Sequence, residues 1–330
     1  MKILIRRLRL INSLCSYKNS VRFSSKDAQT QKEPEKVEEL KKNLIIEKYG
    51  SITTINIDRQ GKRNSLDIPT LKEITSAIQE FESDQDSKVL VINGEGGTFC
   101  SGFDMEEMEK MGYSNMTDAA SRLLRRPLCD KITIAAVSGY AVAEGFELAL
   151  ACDLRVIEDT AMMGCLGRRF GVPQSLLGGS KLTSLIGLSR ALDLLMTGRL
   201  ISGVDAHKFG LACKITSTGT ALGEAIKLAR SLAKFPQNAL IMDKLAAINS
   251  QLNPNSEESM RDEAVHTSLL GNAIEDIKEG IKKYQTGIGR HGKFYKISEQ
   301  PLKDWELEDS YSTQNVTIKK VSPSKDKNKS

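Results

Sequence analysis

Apolar and polar positions change period along the chain, and each change marks an element. Over 43–60, NLIIEKYGSITTINIDRQ, two β-rich runs are parted by Tyr49-Gly50, which predicts a hairpin. The period then becomes helical. In DIPTLKEITSAIQEFES, 67–83, Leu71, Ile74, Ile78 and Phe81 recur at three-and-four spacing, with Pro69 in the first turn. KVLVI at 88–92 predicts a short buried strand, followed by the loop NGEGGTFCSGFD and a Met/Glu helix over 104–112. ITIAAV at 132–137 repeats the scheme, leading through the small residues SGYAVAEG into a helix that opens near Glu144, and LRVI at 154–157 is a further strand. Strand and helix units of this kind predict an α/β layered core with mostly parallel pairing. The rest is helical in pattern, at 189–196, 203–212, 220–235, 237–250 and 272–284, ending near the GIGRHG turn at 287–292. Such helices either cover the sheet as a second layer or build a subunit interface.

Composition narrows the class. With 330 residues, 40% apolar and 27% charged, the chain has the makeup of a globular protein of two or three domains, or of one large domain with appendages. No uninterrupted apolar run reaches 18 residues, so no membrane span is expected. The net charge of +5 is local: residues 1–26 carry seven basic side chains and no acid, and without them 40 basic residues face 42 acidic ones. That balance gives no electrostatic reason to expect a nucleic-acid partner. The acid-free opening, Arg-rich and interleaved with Ile and Leu, has the composition of a mitochondrial transit peptide over 1–26, with a charged linker over 27–42. At the far end, 296–330 forms a polar extension in which Trp305 and Tyr311 are packing residues, and 312–330 is too poor in apolar residues to pack. The six cysteines have no CxxC spacing and sit mostly in apolar or small-residue runs, as reduced, buried thiols do; they are not a metal set.

Two segments share a design. GTFCSGFDMEEM at 97–108 and SGYAVAEGFELAL at 138–150 each follow a buried strand, and each opens a helix through small residues. Free backbone N–H groups are thereby aimed at one end of the sheet. Two such donors meeting at one oxygen would form an oxyanion hole for an enolate or a tetrahedral intermediate. Gly-rich turns also bind phosphate or let helices pack closely, so neither loop alone decides. No strand-GxGxxG-helix unit with a following acid is complete, and no GxSxG elbow occurs; His207, His266 and His291 read as structural or surface residues.

Four motifs in order, KRNSLD (62–67), GGTFCSGFDMEEM (96–108), AAVSGYAVAEGFELALACDLRV (135–156) and GLSRALDLLMTGRLISGVDAHKFGL (187–211), resemble the crotonase, or enoyl-CoA hydratase, superfamily. The resemblance is colinear over about 43–295 and includes KEGIKKYQTGIGRHG at 278–292. It implies a spiral of ββα repeats forming an acyl-CoA-binding core over 43–215, a C-terminal helical oligomerisation region over 216–295, and a homotrimer or homohexamer. It also implies an acyl-CoA thioester substrate, with coenzyme A as part of that substrate and no metal or redox cofactor. By motif position the thioester oxygen would lie between the N–H groups of Phe103 and Glu144. Lys62, Arg63, Ser101, Gly102 and Asp104 fall at substrate-binding positions. Lys62 and Arg63 would meet the CoA phosphates, although a positive pair beside a turn also suits a solvated surface.

Hydratases of this superfamily use two glutamates, which hold a water and move a proton. Glu147 matches the first and is the candidate acid/base, in the first turn of an otherwise apolar helix segment. The second position is Gly167, and no acid occurs between Asp159 and Asp193. Glu144 is the other departure, since the family has glycine there. It either supplies the missing carboxylate or turns to solvent or to Arg168 or Arg169. The expectation is therefore a mitochondrial matrix enzyme resembling an enoyl-CoA hydratase, with isomerase chemistry disfavoured. The alternative is a catalytically weak acyl-CoA-binding or assembly protein that has lost its second acid. For the presequence, N-terminal sequencing of organellar protein should find a start within roughly 20 to 35 residues of Met1, and retention of Met1 would reject the transit peptide.

Overall fold

The computed structural model describes residues 43–124, 127–174, 176–252 and 271–286. The segments 1–26, 27–42 and 296–330, together with His266, His291 and the 287–292 turn, lie outside the described residues.

The hairpin forms as the pattern predicts: β1 (Leu44–Tyr49) pairs antiparallel with β2 (Ile52–Ile57) across Gly50, whose φ of +65° suits the tight turn. The following strands are β3 (Val89–Gly94), β4 (Ile132–Val137), β5 (Tyr140–Val142), β6 (Leu154–Glu158), β7 (Met162–Gly164), β8 (Ile201–Ser202) and β9 (Lys214–Thr216). One sheet runs in the order β1-β2-β3-β4-β6-β9, parallel from β2 onward, and a smaller one runs β5-β7-β8. Sequence pattern does not disclose the small sheet, because β5 lies inside the SGYAVAEG run and is three residues long.

The helices in chain order are α1 (Ile68–Ser83), α2 (Met105–Met111), α3 (Tyr113–Leu123), α4 (Glu144–Ala151), α5 (Ser180–Ile186), α6 (Leu188–Thr197), α7 (Gly203–Lys208), α8 (Ala221–Ala233), α9 (Gln237–Leu252) and α10 (Gly271–Gln285). Asp67 caps α1 by accepting the Thr70 N–H at 2.8 Å. Two differences from the sequence pattern stand out. Helix α3 was not expected; its polar composition hides a narrow buried stripe of Met116, Ala120 and Leu123. The helix expected over 203–212 stops at Lys208, where Gly210 takes φ +84°.

Both faces of the large sheet are covered. On β3, Leu90 and Ile92 join the larger core with α1, whereas Val89 and Val91 face the other way with Ile52, Ile134 and Val156. That second face is closed by α8, whose Ala221, Ala225 and Ala229 recur every four residues and let the helix lie close to the sheet. Of the two roles open to the late helices, α8 therefore takes that of a covering layer. The core is lined by free buried thiols, Cys100, Cys129, Cys152 and Cys165.

The two small-residue loops are stitched together. The N–H of Cys100 donates to the Tyr140 carbonyl at 2.9 Å, and the N–H of Val142 donates to the Cys100 carbonyl at 3.1 Å. A Cβ at Gly145, in the first turn of α4, would stand 2.3 Å from the Cys100 carbonyl oxygen. Neither side can yield cheaply, because one partner is a strand-like loop and the other a buried helix. Gly145→Ala should therefore cost about 2 kcal/mol or more, in the range of overpacked cores. Urea unfolding measures it, and an unchanged midpoint would show that the loop gives way.

Candidate active site

The first loop is held from below by Arg59. Its guanidinium bonds the Asp67 carboxylate at 2.7 Å and that of Asp104 at 3.1 Å, and also donates to the Ser65 carbonyl. Asn64 accepts from the Arg59 N–H at 2.9 Å and donates to the carbonyls of Glu95 and Thr98, at 2.8 and 2.6 Å. Arg63 and Asn64 both adopt positive φ, 52° and 56°, so the chain turns back and brings Leu66 against the loop. Leu66 N–H donates to Gly102 O at 2.8 Å, and Asp104 N–H donates to Leu66 O at 2.9 Å.

Five residues expected to bind substrate sit on this scaffold. Lys62 and Arg63 are exposed, and Lys62 pairs with Glu106 at 2.7 Å on the surface. The N–H of Ser101 donates to the Arg63 carbonyl at 3.2 Å, and Gly102 has φ +96°. Asp104 is buried; one oxygen caps α2 through the Glu106 N–H at 3.1 Å, and the other meets Arg59. Its carboxylate is occupied in holding the loop.

Glu144 turns neither to solvent nor to arginine. Arg168 and Arg169 are exposed, whereas Glu144 is 3% exposed and its Oε2 accepts the Phe103 N–H at 3.0 Å. A side chain expected to reach solvent or arginine instead turns inward, because the backbone at Ala143 adopts φ 52°, ψ −126° and opens α4 toward the loop. A non-glycine residue in that conformation stores strain, as functional turns often do. Burial pushes the Glu144 carboxyl up to about 7; the N–H groups of Phe103 and of Glu144 itself pull the other way, and the negative Glu147 adds to the rise.

Glu147, one turn further along α4, is fully buried. Its Oε1 accepts three backbone N–H groups, from Leu176 at 3.1 Å, Leu177 at 2.9 Å and Gly178 at 2.8 Å. Its Oε2 has no partner within the described residues. Burial raises the carboxyl above its ordinary value, against the pull of the three N–H groups. Gln174 adjoins it: a Cβ at Gly178 would lie 2.5 Å from Gln174 Cβ and 3.2 Å from Glu147 Oε1. Both amide atoms of Gln174 are buried and, among the described residues, without a partner, as is Glu147 Oε2. Gly167 is buried on a short turn over Leu166–Phe170, and a Cβ there would stand 3.3 Å from Val172.

A cleft of about 630 Å³ opens beside α2, lined in part by Met105, Met108, Tyr113, Phe170 and Val172. Tyr113 donates its hydroxyl to the Pro173 carbonyl at 3.1 Å across it. His207 is structural: its Nδ1 shares a hydrogen with the Ala212 carbonyl at 2.9 Å. Among the described residues no group of three or more His, Cys, Asp and Glu side chains is assembled for a metal ion, and no helix is long and apolar enough to cross a membrane. Arg59, Asn64, Gln174 and the 176–178 turn escaped the sequence reading. Their roles depend on contacts across 5 to 45 positions, and none has a local signature.

The geometry agrees with comparison to known proteins. Residues 47–287 match the enoyl-CoA hydratase/isomerase family model. The chain is 30% identical over 244 residues to a probable enoyl-CoA hydratase of Rhizobium meliloti, covering 73% of this chain and 94% of that one. It is 32% identical over 243 residues to a probable mitochondrial enoyl-CoA hydratase of Dictyostelium discoideum, covering 72% and 86%. The crystal structure of an enoyl-CoA hydratase from Bacillus anthracis superposes with a TM-score of 0.70 at 25% identity, covering 75% of this chain and 97% of that one. The mixed α/β architecture is thus the crotonase fold that the motifs implied.

The buried carboxyl of Glu144 makes stability depend on pH. Below its ordinary value of 4.5 the group is protonated whether folded or unfolded and carries no penalty. As pH rises toward about 7 the unfolded chain ionises first, so the folded state loses stability. Glu144→Gln lacks this titration. Its stability relative to wild type should improve by about 3 to 4 kcal/mol between acidic and mildly alkaline pH, at about 1.4 kcal/mol per unit. Urea unfolding at both extremes measures the difference, and a constant gap would place Glu144 in a solvated site.

Proposed function

The chain belongs to the enoyl-CoA hydratase/isomerase family, and from that premise we propose that it adds water across the double bond of a 2-enoyl-CoA thioester. The observation that carries this reading is Glu147. One carboxylate oxygen is fixed by three N–H groups, and the other is buried with no partner among the described residues, placed to hold and deprotonate a water.

In this mechanism the thioester oxygen sits on the N–H groups of Phe103 and Glu144, and the enolate is stabilised by fixed backbone dipoles. The acyl chain runs into the cleft lined by Met105, Met108 and Phe170. Glu147 Oε2 and the Gln174 amide hold the water. Glu147 takes its proton as the oxygen bonds to the β-carbon, then returns that proton to the α-carbon, so one carboxyl closes the cycle that two share in the family pattern. The CoA phosphates lie against Lys62 and Arg63, while Ser101 and Gly102 form the backbone edge of the site and Asp104 holds that edge in place. CoA enters and leaves as part of the substrate, and no other cofactor is assigned. The basic, acid-free 1–26 segment supports import into the mitochondrial matrix, and the family supports a homotrimer or homohexamer.

A second reading has its own support in Gly167 and Glu144. Without the second carboxylate, and with an acid at the oxyanion position, the chain would bind acyl-CoA and turn it over weakly or not at all. Purified protein decides between them by hydration of crotonyl-CoA set beside calorimetric binding of the same ester. Under the first reading Glu147→Gln, which keeps shape but cannot move the proton, lowers the rate by about 10²- to 10⁴-fold while the ester Kd stays within about twofold. Equal turnover by wild type and variant removes Glu147 from the acid/base role.

A further inference from the structure

The Glu144 carboxylate lies where the proposed substrate's oxygen would have to lie. Its Oε2 is 3.0 Å from the Phe103 nitrogen, and a Cβ at Gly102 would stand only 2.8 Å from the same oxygen, so the carboxylate covers the backbone edge of the hole. The Glu144 N–H, the second donor assigned to the thioester, also acts on this carboxylate. A charged acceptor makes a hydrogen bond roughly twice as strong as a neutral one, so a thioester oxygen competes poorly with an ionised carboxylate for the same donors.

What faces Glu144 favours release. Glu147 approaches from its own helix and the Cys100 thiol from the loop opposite, while the backbone of Gly102 and Phe103 lies against the carboxylate. Burial pushes that thiol up to about 12, so it stays neutral. Among the described residues no Lys or Arg forms an ion pair with Glu144. The hydrogen bond that holds its charge comes from the Phe103 N–H, and Glu147 opposes that charge. Nor does this position suit the missing second acid, because a group bound to the oxyanion donors stands at the carbonyl end of the substrate and not with the water at the β-carbon.

We infer that Glu144 is an internal gate of the oxyanion hole: ionised, its carboxylate occupies the Phe103 N–H and excludes the thioester oxygen; protonated, it yields that donor. The inference rests on the acyl-CoA reading above. Binding is then coupled to uptake of one proton, and because the carboxyl titrates near neutrality, acyl engagement weakens as pH rises through about 7.

The test compares calorimetric affinities for crotonyl-CoA and free CoA on the full chain from about pH 5.5 to 8.5. The ratio of the two isolates the acyl end, because titration of the nucleotide phosphates cancels. Wild type should lose about 10-fold or more of its preference for the ester across this range, in keeping with the worth of an oxyanion donor. Glu144→Ala should keep a constant preference, at or above the acidic wild-type value, and hydrate crotonyl-CoA about 10-fold faster than wild type at the alkaline end. Glu144→Gln, which fills the same space without charge, should be independent of pH. A flat wild-type ratio overturns the gate, as does pH dependence that survives in Glu144→Ala, or loss of wild-type turnover in that variant. If Glu144→Ala does not fold, the wild-type ratio decides alone. Failure of wild type and variants to bind either CoA species overturns the acyl-CoA reading and the gate with it, whereas CoA binding with a flat ratio overturns only the gate.

Discussion

The Cys100 carbonyl and the first turn of α4 approach each other so closely at Gly145 that no side chain fits between them. Every feature of the site depends on that contact. It brings the N–H of Phe103, three residues beyond Cys100, to the side chain of Glu144, one residue before Gly145, and it leaves Glu147 one helical turn deeper in the same wall. The contact is held from both sides. Strand β5 bonds the loop through Tyr140 and Val142, and the Arg59–Asn64 corner bonds it from beneath through Leu66 and Asp104. Geometry at the site is thus set by backbone hydrogen bonds and a half-buried guanidinium tied to two carboxylates, which shift less than loose side-chain contacts would.

Two carboxyl groups share a buried helix turn, and the protein treats them differently. Each is raised by burial and tempered only by N–H groups. For Glu147 those donors come from Leu176–Gly178, a segment remote from the oxyanion donors, so one oxygen is anchored and the other left free. For Glu144 the donors are those that an oxyanion would need. In the proposed reaction the same chemistry, a carboxylate on backbone amides, would ready one residue for proton transfer and set the other in competition with a substrate oxygen.

Much of this was legible in the sequence, and the limits have physical causes. Strands β2, β3 and β4 show as short β-rich runs because both faces of the sheet are covered, and α1 and α8 show in helical periodicity because each buries one face. The two loops show in their small residues, and Glu147 shows as an acid in an apolar run. The inward turn of Glu144 did not show, because it depends on the backbone of Ala143, and an alanine gives no sign of a positive φ. Gln174 was equally silent: a lone glutamine in VPQSLLGG looks like loop polarity until its amide is seen to be buried. Arg59 sits in a turn that reads as solvated, and its partners Asp67 and Asp104 come from different elements.

The exchange of acids between positions 144 and 167 has a consistent electrostatic logic. A carboxylate at 167, where the family pattern has one, would be a third acid in a buried region that already holds Glu144 and Glu147 with no cation paired to either among the described residues. Each ionised member raises the cost of the next, since the interior screens like charges poorly. Glycine at 167 removes that third charge, and its backbone leaves room for little more than Val172. The neutral amide of Gln174 can orient a water beside Glu147 without adding charge, donating through Nε2 and accepting through Oε1. Glu144 present and an acid at 167 absent thus form one arrangement, in which this helix turn holds two buried acids, and under the proposed function the proton work falls on Glu147.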